Sequence, residues 1–168
     1  VTVERTLAKV DDDLRRGDLT MARTRLKSLT HSLPHRLDAR ERLADVYRLE
    51  GNTVEAGRWS YLAEQRDPAE VAAFERACGQ KPVRIMRALL WRGSEDAAAT
   101  EIARDRLRDV RARAEADTGR RLDWSDPGRG AEGPWWEDAA GLIGCMVVGL
   151  VLAVLVVVGA ATVVGWIF

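Results

Sequence analysis

His31 and His35 stand four residues apart, a spacing at which two histidines on one helix face can share a zinc ion. Pro34 breaks that face and no third ligand is evident, so the pair reads as surface histidines at a turn. Asp11-Asp12-Asp13 could attract a cation, but an acidic run near a helix end reads as a solvated face. Ser60, in Trp59-Ser60-Tyr61, lacks a Gly-rich elbow. Cys78 precedes Gly79 at a predicted helix C-terminus, where the dipole raises a thiol pKa. Cys145 lies in an apolar tail, and neither cysteine has metal-ligand spacing. Two free thiols place the soluble part in a reducing compartment. A phosphate-cradling glycine loop is absent. Met21, Met86, Trp59, Tyr61 and Trp91 read as packing before any cofactor role. The residues predict no catalytic, cofactor or metal site, and the chain reads as a non-enzyme. An enzyme with an unfamiliar helical site is the lesser alternative.

Charge narrows the classes further. Twenty-six basic and 26 acidic residues cancel, so no overall basic charge points to nucleic acid. Lys9, Lys27 and Lys81 are the only lysines. Arg with abundant Ala, Gly and Val suggests a GC-rich, bacterial source.

The charges are also confined. All of them lie at or before Asp138, and the 30 residues from Ala139 to Phe168 carry none. A hydrocarbon core of about 30 Å needs about 20 helical residues, so this run predicts a membrane span. Trp135 and Trp136 precede it, while Trp166 and Phe168 close it, as expected of interfacial belts. Arg120, Arg121 and Arg129 on the N-terminal side predict a cytoplasmic N-terminal domain. The expected location is the plasma membrane, single-pass and tail-anchored, with no signal in the charged N-terminal segment. Gly141, Cys145, Gly149 and Ala153 recur at every fourth position, and Ala161 and Gly165 resume the row. Small residues so spaced form a groove where another helix approaches closely, either in a homo-oligomer or with a partner. No ionisable residue lies in the run, which argues against a pump or channel.

These features need elements to hold them, and residues 1–118 read as successive helices. Val3, Leu7, Val10 and Leu14 form one stripe; Ala22, Leu26, Leu29 and Leu33 a second. Ala39, Leu43, Val46 and Tyr47 form a third; Ala56, Trp59, Leu62 and Ala63 a fourth. Asn52 and Glu55 predict a capping box. Asp67-Pro68-Ala69-Glu70 starts a helix running to Cys78. Pro82 opens a short helix through Trp91, stopped by Gly93. Ser94 caps a long charged helix to about Thr118, with Ile102, Ala103, Leu107, Val110 and Ala114 as its seam. Trp124 either tucks against that helix or reaches toward the membrane. No strand pattern appears. The expected organisation is an all-α domain over 1–119, a Gly/Pro/Trp linker over 120–138 and the span over 139–168.

A 34-residue period links the first helices: Gly17 to Gly51, Ala22 to Ala56, Pro34 to Pro68. Paired helices at that period resemble tetratricopeptide repeats. Within 37–70 the order matches well: Leu43-Ala44 and Tyr47, then Gly51-Asn52, Ala56, Ala63 and Pro68. In the earlier unit Lys9, Val10 and Asp13 stand where Leu, a small residue and an aromatic are usual. The soluble segment, roughly 1–125, also resembles an uncharacterised actinobacterial domain family. The motifs that carry this are PHRLDARERLADVYR, AGRWSYL and DPAE. That resemblance implies no activity and leaves the tail outside it.

In a tetratricopeptide-like fold the first helix of each pair lines a concave groove. The resemblance then puts Glu4, Asp11, Asp38, Glu41 and Asp45 there, with Arg15 and Arg48. Such a surface leans acidic and suits a basic peptide or helix. The expected function is a membrane-tethered adaptor or accessory module that binds protein. The alternative is a small subunit docking into a membrane complex through its span.

Overall fold

The computed structural model describes residues 3–127, which form helices joined by turns and loops. The helices are α1 (Val3–Arg15), α2 (Leu19–Ser32), α3 (Leu37–Leu49), α4 (Thr53–Trp59), α5 (Pro68–Ala77), α6 (Pro82–Leu89) and α7 (Glu101–Thr118). A 3₁₀ turn spans Glu95–Ala97. From α1 to α5 each helix packs on the next, and α6 packs on α7.

The sequence period is also a period of backbone geometry. Shifted by one period, the bounds of α1 become those of α3, and the start of α2 becomes that of α4. Gly17 and Gly51 take φ of +75° and +72°, a region closed to most side chains. The amide after each glycine donates back across the turn, Asp18 N–H to Asp13 O and Asn52 N–H to Tyr47 O, at 2.9 and 2.8 Å. Asp18 and Asn52 then cap α2 and α4, accepting from the Met21 and Glu55 amides. Each cap stabilises its helix by about 1 kcal/mol. The predicted capping box is only half made. The Glu55 carboxylate accepts from Arg58 and Trp59 Nε1 instead of returning to the cap.

Ala22, Ala44 and Ala56 are wholly buried, which is how neighbouring helices approach closely. Where the second unit buries Tyr47 and Trp59, the first has Asp13 and Arg25, each one period earlier. Asp13 is 1% exposed and accepts from Arg25 Nε at 2.7 Å and from Arg16 at 2.6 Å. An ion pair thus stands where the second unit has aromatic packing. This corrects the reading of Asp11-Asp12-Asp13 as solvated throughout. Arg25, and after it Arg16, hold the Asp13 carboxyl below its ordinary value against the opposing effect of burial.

Other expectations change. α4 stops at Trp59, so Leu62 and Ala63 are buried but lie beyond the helix. The turn that replaces it leaves carbonyls without amide partners. Arg106 of α7 donates to the Tyr61, Ala63 and Glu64 carbonyls, and Arg66 to that of Tyr61. α6 ends at Leu89 rather than near Gly93, because Leu90 turns left-handed at φ +52°. The long charged helix does not start at Ser94. Ser94 caps the 3₁₀ turn, and Thr100 caps α7 by accepting from the Ala103 amide. Met21, Leu33 and Ile102, read as inward-facing, are 41%, 39% and 42% exposed.

The fold also continues past Gly119. Leu122 and Trp124 join the core formed by Tyr61, Phe74, Ile85, Trp91 and Leu107. Trp124 therefore tucks inward, and its indole N–H donates to Glu95 at 2.7 Å. Glu95 also pairs with Arg111 of α7 at 2.9 Å. Among the described residues no helix is long and apolar enough to cross a membrane. The run 139–168, its row Gly141, Cys145, Gly149, Ala153, Ala161 and Gly165, and the linker from 128 on lie outside the described residues.

Candidate functional site

The residues assigned to the groove lie on α1 and α3. Glu4, Asp11, Arg15, Asp38, Glu41, Asp45 and Arg48 are all exposed. Most of their charge is already matched within the chain. Arg42 of α3 bonds Asp11 of α1, Arg36 donates twice to Asp38, and Arg15 pairs with Asp12. Arg48 bonds Asp45 and, with two parallel donors at 2.8 and 2.7 Å, the Glu70 carboxylate of α5. Forked pairs of that kind are the strongest of the surface type. They tie α1 to α3 and α3 to α5.

The pKa directions follow those partners. Arg36 holds the Asp38 carboxyl below its ordinary range. Glu70, and then Asp45, stabilise the charged form of Arg48. Glu41 goes the other way: burial, then the neighbouring Asp45 and Asp38 charges, raise its pKa. The face is thus a lattice of alternating charge with one less comfortable acid at Glu41. A basic ligand would have to displace arginines already in place.

A second constellation escaped the sequence reading. Arg40 of α3 is 1% exposed, yet it has no carboxylate partner among the described residues. One guanidinium NH2 donates to the Leu89 carbonyl at 2.9 Å, and its Nε is buried without a partner. Arg40 and Arg58 each lie 5.0 Å from the Trp59 ring. A desolvated cation on tryptophan gains about 2 kcal/mol, which offsets part of the burial cost. Burial, and then the charge of Arg58, bring the Arg40 pKa down to about 9, so it remains a cation at neutral pH. The sequence did hold a signal. Leu37, Arg40, Leu43, Ala44 and Tyr47 share one helical stripe, and a single Arg on an apolar stripe points inward.

The remaining reactive side chains are separated. His35 packs edge-on against Trp91, with ring centres 4.7 Å apart, while His31 is exposed near the end of α2. Cys78 is buried, and burial comes first in raising its thiol pKa, ahead of any charge nearby. The Tyr61 hydroxyl donates to Glu75 at 2.8 Å and accepts from Arg113 at 3.1 Å. Burial comes first in raising the pKa of that phenol.

No curated protein and no solved structure matches the chain. A family model does, over residues 1–165, and its description is a family of unknown function, DUF6584. The match runs into the apolar tail, which corrects the expectation that family resemblance stops near residue 125.

Proposed function

We propose, for a chain that belongs to this family of unknown function, a non-catalytic role as a membrane-tethered module that binds protein. The observation that carries the reading is the repeated helical hairpin, joined in one chain to the uncharged apolar run 139–168. Hairpins with this period and these turns are tetratricopeptide-like, and such units serve as interaction scaffolds. The apolar run acts as a single membrane span, with Arg120, Arg121 and Arg129 keeping the helices on the cytoplasmic side of the plasma membrane. A tether raises the local concentration of partners at that surface. The α1–α3 face takes a protein segment of mixed charge, with Glu4 and Glu41 offered to a basic group. The family match extending into the tail supports reading domain and tail as one unit.

Washing membranes with alkaline carbonate tests the tether. The full chain should remain in the pellet, and a chain ending at Pro127 should be released. Release of both would remove the tether from the reading.

A second reading has its own observation, the small-residue row Gly141, Cys145, Gly149, Ala153, Ala161 and Gly165. There the span docks into a membrane complex, or against a second copy, and the helical domain is a cap. Gly149→Leu abolishes assembly under that reading and spares it under the first.

A further inference from the structure

A cleft of about 310 Å³ opens where α2, α4 and the turn after α6 meet. Lys27, Thr30 and His31 line it from α2, Arg58 and Trp59 from α4, and Leu90 and Arg92 from the turn. Three permanent cations line this cleft, and no acid does. Many arginines elsewhere in the domain carry an acid partner, among them Arg23 with Glu50, Arg42 with Asp11, Arg48 with Glu70 and Arg108 with Asp96.

Two of the three cleft cations have no such partner. Arg92 has no ion pair among the described residues. Lys27 lies 5.8 Å from the Tyr47 ring centre and has no carboxylate partner among them either. Arg58 has Glu55 as its one acid, at 3.2 Å, and its Nε is spent on the Ala88 carbonyl. Arg40 lies 5.0 Å from the same Trp59 ring, a buried cation that no carboxylate neutralises among the described residues. Lys27 and Arg92 thus carry charge at the cleft without a carboxylate partner among the described residues, and a wall of one sign attracts an anion. Leu90, 49% exposed in its left-handed conformation, adds an apolar wall beside the charges.

We propose that this cleft binds a phosphate group carried by a small ester or a lipid headgroup. Its volume lies at the small end of ligand sites, which suits one such group rather than a polymer. Lys27 contributes a compact charge, and Arg58 and Arg92 offer planar donors that match phosphate oxygens. Arg40 acts through Trp59 as a fixed background charge and touches no ligand. The cleft lies apart from the α1–α3 charge lattice, and its occupancy does not depend on the tether or on protein capture.

Calorimetric titration of the full chain in an uncharged maltoside detergent tests this at constant ionic strength. Inorganic phosphate is the soluble probe. Dihexanoyl phosphatidic acid, against dihexanoyl phosphatidylcholine, is the lipid probe. Saturable binding of phosphate or of phosphatidic acid is expected, and whichever is tighter identifies the source. The double change Lys27→Ala with Arg92→Ala should weaken it at least about tenfold. Both residues are exposed, so the fold should survive, which a circular dichroism melt checks. Arg104→Ala, away from the cleft, should bind as the parent does. No saturable binding of either probe, or equal binding by the double variant, overturns the proposal.

Discussion

Gly57→Ala should destabilise the domain by about 3 kcal/mol, although it replaces a helical glycine with the best helix former. Propensity alone favours the alanine by about 1 kcal/mol. Packing opposes it more strongly. A Cβ at Gly57 lands on the Glu70 carbonyl group and within 3.0 Å of the Val71 amide nitrogen. Those are backbone atoms of α5, so no side chain can rotate away. α4 and α5 must separate, and the forked Arg48–Glu70 pair is strained with them. A melt followed by circular dichroism should show a midpoint about 10 °C lower. A midpoint equal to or above the parent's would mean that α4 and α5 are not so closely packed.

Trp124→Ala should cost about 3–5 kcal/mol, as large as any core truncation, although the residue follows the last helix. The indole is 3% exposed and packs with the core that Trp91 and Leu107 share. Its loss also removes one of the two groups that hold the buried Glu95 carboxylate, leaving Arg111. Trp124→Phe separates the two contributions. It keeps most of the ring and loses the N–H, for about 1–2 kcal/mol. Urea unfolding of the three proteins measures both steps. Equal midpoints would return residues 120–127 to the linker.

The turns of the first two hairpins were legible because their residue types encode backbone conformation directly. Gly17 and Gly51 can go left-handed, and Asp18 and Asn52 can cap. The all-helical class followed from apolar stripes of the right period. What the stripes concealed is where a helix stops. Leu62 and Ala63 keep the helical rhythm of α4, but their burial comes from tertiary packing after the chain has left the helix. The donor that permits this, Arg106, comes from α7, far along the chain. Charges were legible as types and not as pairs. Asp11 and Arg42 are 31 apart in sequence, and only the packing of α1 near α3 joins them. Gly57 carried no mark at all, because its necessity lies in the neighbouring backbone. Arg40 and Asp13 could have been found as polar residues on apolar stripes.

Crosslinking and capture from membranes, run on the full chain beside a chain ending at Pro127, separates recognition by the helices from recognition by the tail. If the helices recognise a protein and the tail holds them at the surface, the shortened chain, at raised concentration, captures the same crosslinked partner as the full chain. Glu41→Lys with Glu4→Lys should then weaken capture by both. Loss of every partner on truncation, with the charge reversals silent, would contradict recognition by the helices and assign it to the tail.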